Sequence, residues 1–194
     1  GKIEYVGTWC DDKQFGRGIL YDNEGNMVYK GNWCDGHTVE DEYEGDGNDL
    51  NIKVKRLKLS DSCILEEFDL SLFIDLEELS IGSYCFRSVD TFVIDGLNHL
   101  KSLRIDSNSF THFTDFNVWD GKSVNDSSRS FHVLNCVELI SITICCHSFS
   151  DFGGKFELRN LPKLYSITIG EIETDSFNFC YSSFVAEGVI DCTT

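Results

Sequence analysis

Apolar residues recur along this chain in two successive rhythms, each with a period of 24 positions. In the first, Tyr5, Gly7, Trp9, Cys10 and Asp11 return as Tyr29, Gly31, Trp33, Cys34 and Asp35. Strict alternation in Tyr5-Val6-Gly7-Thr8-Trp9 puts Tyr5, Gly7 and Trp9 on one face of a strand. Asp11-Asp12-Lys13-Gln14 reads as a turn, Phe15 to Tyr21 as the returning strand, and Asp22-Asn23-Glu24-Gly25 as the next turn. The glycines are expected to leave room where aromatic rings cross the sheet.

The second rhythm starts near residue 52. Leu76-x-x-Leu79-x-Ile81 recurs as Leu100-x-x-Leu103-x-Ile105, Leu139-x-x-Ile142-x-Ile144 and Leu164-x-x-Ile167-x-Ile169, after a weaker copy at Val54-x-x-Leu57-x-Leu59. Between these runs Phe86, Val89, Phe92, Ile94 and Leu97 return as Phe110, Phe113, Phe116, Val118 and Gly121. They return again as Phe149, Phe152, Phe156, Leu158 and Leu161. One long insertion, about 119–130, interrupts the period before Phe131 and Val133 resume it. The β-branched and aromatic content of Phe92-Val93-Ile94 predicts a second strand in each unit.

Tyr5-x-Gly7-x-Trp9, Gly16-x-Gly18, Tyr21 and Gly25 resemble the MORN repeat, and Tyr29-x-Gly31-x-Trp33-x-Asp35-Gly36 begins a second copy. Leu100 to Phe110 fits the leucine-rich-repeat pattern, in which alternate apolar residues point into a coil and Asn108 can satisfy backbone groups at the turn. The whole 52–184 stretch resembles the mostly-β leucine-rich repeats of BspA-like protist and bacterial surface antigens. The resemblances imply a mainly β repeat protein: a MORN-like β-hairpin array over 1–37, an acidic linker over 38–51, and a leucine-rich-repeat solenoid over 52–194. Because Gly1 to Tyr5 matches Gly25 to Tyr29, the chain is expected to open at a repeat boundary, as a fragment of a larger protein.

Charge narrows the partners. With 16 Lys and Arg against 33 Asp and Glu, the net charge is −17. Phosphate-rich partners need Lys and Arg, so nucleic acid is excluded and direct membrane binding is not expected. The 194 residues contain nine cysteines with no C-x-x-C pair, so no structural zinc site and no other cofactor is expected. Cys63 and Cys136 sit inside apolar runs and read as small hydrophobes, which points to reduced thiols and a cytoplasmic location. An extracellular location would require an upstream signal peptide.

No enzyme is expected in this segment. In "CCHSF" (145–149) a thiol neighbours an imidazole, but His147 falls at the Asn108 position of the repeat turn and Ser148 at the Ser109 position. Adjacent strand residues also face opposite ways. Cys85 stands where Ser109 and Ser148 stand. Gly153-Gly154-Lys155 lacks phosphate-loop spacing and aligns with a one-residue bulge. No pair of carboxylates is singled out for acid–base work.

The outward positions of the parallel strands form three ladders: Arg56, Glu78, Ser102, Ser141, Ser166; Lys58, Ser80, Arg104, Thr143, Thr168; and Ser60, Gly82, Asp106, Cys145, Gly170. Two readings of this face stand. It is a solubilised sheet surface, or a shallow polar groove for a protein or peptide partner, with Arg56, Lys58, Glu78 and Arg104 as candidate contacts. Trp119, at the lip of the insertion, is either a partner anchor or a core cap. The expected function is a non-enzymatic repeat scaffold for protein–protein interaction. Alternatives are an exported surface adhesin, for which Asn125-Asp126-Ser127 supplies a glycosylation sequon, a MORN-type membrane-associated adaptor, or the recognition arm of a larger enzyme.

Overall fold

A computed structural model describes residues 4–34, 37–39, 42–45, 54–63, 69–112, 126–171 and 176–189. The protein is mainly β, with no α-helix among the described residues. It divides into two compact units, Gly1–Glu42 and Tyr43–Thr194.

The first unit is an antiparallel sheet of β1 (Tyr5–Cys10), β2 (Lys13–Tyr21), β3 (Met27–Cys34) and β4 (His37–Val39), hydrogen-bonded in that order. The first turn is tighter than its composition predicts. Only Asp11 and Asp12 make it, both with positive φ (50° and 62°), and Lys13 already pairs with Cys10. Aspartate tolerates the left-handed region, which a two-residue hairpin demands. The second turn is pinned by the Asp22 carboxylate, which accepts from the Glu24 and Asn26 N–H groups at 2.8 Å each. Gly7 and Gly18 face each other across β1 and β2, and a Cβ at either would overlap the Tyr5 ring. That ring meets both repeated tryptophans edge-on, Trp9 at 5.2 Å and Trp33 at 4.9 Å between centroids. Burial separates the pair, since Trp33 is 5% exposed and Trp9, on the outermost strand, 53%.

The second unit is a β-solenoid whose turns alternate between two parallel sheets. One sheet contains β6 (Arg56–Leu59), β7 (Glu78–Ile81), β9 (Ser102–Ile105), β11 (Ser141–Ile144) and β13 (Ser166–Ile169), with β5 (Glu42–Gly45) added beside β6. The other contains β8 (Thr91–Asp95), β10 (Ser130–Leu134), β12 (Lys155–Leu161) and β14 (Ser183–Val189). Leu57, Leu59, Leu79, Ile81, Leu103, Ile105, Ile142 and Ile144 line the first sheet's inner face, and Phe92, Ile94, Phe131, Val133, Phe156 and Leu158 the second's, all buried. In this core each strand hides the apolar flank of the next. The hidden flank ends at β13, where Ile167 and Ile169 occupy the core positions but are 40% and 42% exposed.

The bend between the sheets is the most regular feature. Tyr84, Asn108, His147 and Phe177 each have positive φ, as do Phe86, Phe110, Phe149 and Phe179 two residues later. Left-handed backbone costs a side-chain-bearing residue about 1–2 kcal/mol. Two devices offset it. The phenylalanines stack in a column, at 5.1 Å (Phe86–Phe110), 4.6 Å (Phe110–Phe149) and 4.7 Å (Phe149–Phe179). Beside them runs a ladder of small buried donors. The Cys63 N–H donates to Cys85 Sγ (3.3 Å), that of Cys85 to Ser109 Oγ (3.1 Å), and that of Ser109 to Ser148 Oγ (3.1 Å). In return, Cys85 Sγ, Ser109 Oγ and Ser148 Oγ donate to the carbonyls of Ser60, Gly82 and Asp106. The expectation that Asn108 would satisfy the turn through its amide is thereby corrected. Asn108 supplies the left-handed backbone, and the inward hydroxyl of Ser109 satisfies the buried peptide groups.

A second corner follows the other sheet. Gly96, Asn135, Asn160 and Gly188 all take positive φ there, and glycine and asparagine are the residues that do so at least cost. Asn160 Nδ2 donates to Asn135 Oδ1 (3.0 Å), and Asn135 Nδ2 to Asp95 Oδ1 (2.8 Å).

Three expectations about chain layout change. First, 38–51 is not linker throughout, because β4 pairs with β3 and β5 with β6. Edge strands accommodate acidic residues, since charge there discourages further pairing. Second, the strand beside β8 is β10, with Phe131 opposite Phe92 and Val133 opposite Ile94. The sequence alignment had given that place to Phe116 and Val118, which lie outside the described residues. Third, the insertion is not loop up to residue 130. Asp126 bridges to Phe152, Arg129 is completely buried, and Ser130 begins β10. Gly154 passes so close to Arg129 that a Cβ there would lie 2.6 Å from the Arg129 carbonyl oxygen.

Replacing Ser109 with alanine should cost about 1–3 kcal/mol, because the Cys85 N–H and Gly82 carbonyl lose their buried partner. Ser109→Cys, which copies the Cys85 arrangement, should recover most of that in urea unfolding. Equal loss in both variants would show that volume, not hydrogen bonding, sets the bend.

Candidate functional site

Register brings the predicted ladders together. Arg56 pairs with Glu78, Glu78 with Ser102, Ser102 with Ser141, and Ser141 with Ser166. Lys58, Ser80, Arg104, Thr143 and Thr168 align in the same way. Two of the candidate cations already hold carboxylates: Lys58 meets Glu44 at 2.5 Å, and Arg104 meets Asp106 at 2.7 Å. Arg104 Nη2 also donates to Cys145 Sγ (3.4 Å). A row just outside the strands runs from the charged pair Glu77–Lys101 (2.5 Å) to the exposed Ile140 and Tyr165, the latter 81% exposed. The face thus grades from paired charge through small hydroxyls to apolar side chains. Trp119 lies outside the described residues.

The residues of "CCHSF" diverge. Cys146 Sγ lies 3.6 Å from Ser176 Oγ, while the His147 ring stacks on Phe177 at 5.7 Å. Burial pushes the Cys85 thiol up to about 12 and that of Cys136 up to about 11, the opposite of what a nucleophile needs. No disulfide engages Cys10, Cys63, Cys85, Cys136, Cys145, Cys146 or Cys180. Among the described residues no three His, Cys, Asp or Glu side chains converge as metal ligands.

Two polar clusters were not singled out from the sequence. At the edge of the solenoid, Arg129 Nη1 donates to Asp151 Oδ2 (2.6 Å), and Nη2 donates to the carbonyls of Val89 (2.7 Å) and Arg87 (3.1 Å). The guanidinium covers the Phe152 ring at 4.5 Å, and the half-exposed His112 brings Nδ1 to 3.3 Å from the same Asp151 oxygen. This cluster is an internal clamp: it ties 126–130 to the turn before β8 and to the Phe149–Phe152 corner.

The other cluster lies on the outward face of the second sheet. His132 Nδ1 is 2.8 Å from Glu157 Oε2, and its Nε2 is 2.9 Å from Ser130 Oγ. Arg159 binds Glu157 Oε1 through Nη2 (2.5 Å) and Nε (3.2 Å), and binds Glu187 through Nη1 (2.6 Å). Arg159 first, then His132, hold the Glu157 carboxyl below the usual carboxylate range. Its sequence signal was the 25-residue spacing from His132 to Glu157, which matches the spacing from Phe131 to Phe156.

The chain matches no family model, no curated protein and no solved structure.

Iodoacetamide at pH 8 should modify the exposed Cys10 in the folded protein. Cys85 and Cys136 should stay unmodified until denaturant is added, as read by peptide mass spectrometry. Native-state labelling of Cys85 would mean that the bend opens far more readily than its hydrogen bonds allow.

Proposed function

We propose that this protein is a repeat scaffold that holds a protein or peptide partner on the parallel face of β6, β7, β9, β11 and β13. In this reading the first unit is a MORN-type hairpin array and the second a leucine-rich-repeat solenoid of BspA-like type. The repeated Tyr-x-Gly-x-Trp and Leu-x-x-Leu-x-Ile patterns support that assignment.

One observation carries the binding reading: the unbroken register of small hydroxyl side chains that ends at exposed apolar ones. Ser102, Ser141 and Ser166, with Thr143 and Thr168 beside them, leave a low polar floor on which a partner backbone can lie. Tyr165 and Ile140 supply the anchoring area that the polar floor lacks, and tyrosine is among the residues that dominate interface energetics. Lys58 and Arg104 stand at the other end. Their engagement with Glu44 and Asp106 makes them suited to orienting a partner by exchange of ion pairs, and less suited to carrying affinity.

Tyr165→Ser should weaken partner capture at least tenfold, while Lys58→Glu with Arg104→Glu should weaken it less and reduce its salt dependence. Quantitative pull-down against a Val93→Ser control on the other sheet checks this. Identical partners at identical yields from all three variants would overturn the assignment of this face.

A further inference from the structure

The outward face of the second sheet carries a hydrogen-bonded chain with a defined proton direction. Phe131 and Val133 point into the core with no exposure, so Ser130 and His132 share the opposite face of β10. Glu157 stands directly across from His132 on β12. An ionised carboxylate can only accept, so the 2.8 Å contact puts the neutral imidazole's proton on Nδ1. Nε2 is then a lone pair. The 2.9 Å contact to Ser130 Oγ therefore has the serine hydroxyl donating to histidine. This is the polarity that a serine nucleophile and its general base require.

The surrounding charges favour proton transfer along that bond. Glu157 and Glu187 share one guanidinium, that of Arg159. The three groups sum to one negative charge, which an imidazolium at His132 would neutralise. His132 and Glu157 side chains are only 18% and 11% exposed, so water screens this attraction weakly. Ser130 is flanked in its row by Thr91 on β8. On β12 the neighbouring position is Lys155, one residue before the Phe131–Phe156 pair. Lys155 is exposed and is the cationic position that flanks the serine's row.

We infer that Ser130, His132 and Glu157 form a nucleophile, a base and its positioning residue, giving this sheet an esterase activity toward small activated acyl esters. Ser130 Oγ bonds to the ester carbonyl carbon as its proton moves to His132 Nε2. The carbonyl π electrons move to oxygen, where Lys155 is the nearest cation in the row. Collapse of this adduct expels the alcohol, which takes the proton from Nε2 and leaves an acyl-serine. Water, deprotonated by the same nitrogen, then releases the acid and returns the proton to Ser130. The open, flat setting suits short acyl groups with good leaving groups. This activity is independent of the partner-binding face, which lies on the other sheet.

The test uses the full chain with a fluorophosphonate probe and with 4-nitrophenyl acetate. The wild-type protein should acquire one phosphonate, mapped by peptide mass spectrometry to Ser130, and should hydrolyse the ester. Ser130→Ala should abolish both, and His132→Gln should slow both about a hundredfold. Glu157→Gln should slow them less and displace the pH profile, a readout that simple loss of packing would not move. His132 contacts Glu157 of β12, whose carboxylate is held in turn by Arg159, itself paired with Glu187. Met27→Ser, at an exposed position of the first unit, should leave labelling unchanged. Wild-type protein that takes up no probe in excess, or takes it up at a site other than Ser130, overturns the inference without recourse to any variant. Ser130 labelling untouched by His132→Gln overturns the role of the base.

Discussion

Every turn of the solenoid must reverse direction within a few residues, and that constraint organises the unit. The reversal puts residues such as Asn108 and Phe110 into left-handed backbone and drives their peptide groups away from water. A buried N–H without a partner would cost more than the bend could recover. The inward hydroxyl or thiol at Cys85, Ser109 and Ser148 removes that penalty by accepting from an N–H of the preceding turn and donating to a carbonyl of that same turn. The phenylalanine column then fills the space at the bend. Stacking and hydrogen bonding thus run in parallel along the coil axis, and each turn is stable only against its neighbours.

This arrangement explains how the solenoid absorbs an irregular turn. Ser109 and Ser148 lie 39 positions apart, whereas Cys85 and Ser109 lie 24 apart, yet the same hydrogen bond joins each pair. The extra residues enter between the bend and β10, where the ladder imposes no register. Where the chain returns, the buried Arg129 anchors it to Asp151 and to two backbone carbonyls. A buried guanidinium is tolerated because the carboxylate, the carbonyls and the Phe152 ring replace the hydration of Nη1 and Nη2, while Nε is left without a hydrogen bond, 3.7 Å from Asp90.

The two outer faces differ because they pair side chains differently. On the first sheet, small hydroxyls alternate with long charged residues that find carboxylates nearby, so the surface is low and polar. On the second, larger groups stand opposite one another: His132 against Glu157, with Arg159 against Glu187 two positions on. Close cross-strand pairing of such groups makes a connected network and a proton path.

Much of this was legible in the chain itself. Period, strand positions, inward residues and the order of the outward ladders follow from alternation, because a strand's side chains can only face two ways. The equivalence of Cys85, Ser109 and Ser148 was visible as well, though the hydrogen bonds that make it meaningful were not. What tertiary structure decided was pairing between distant segments. The sequence could not place β10 beside β8, since Phe116-x-Val118 and Phe131-x-Val133 present the same alternation, and only the three-dimensional register chooses between them. It could not show that Lys58 and Arg104 are already engaged, because their partners are set by strand neighbours and turn geometry. Nor could it reveal the Ser130–His132–Glu157 chain: alternation puts Ser130 and His132 on one face, but Glu157 joins them only through the register of β10 against β12.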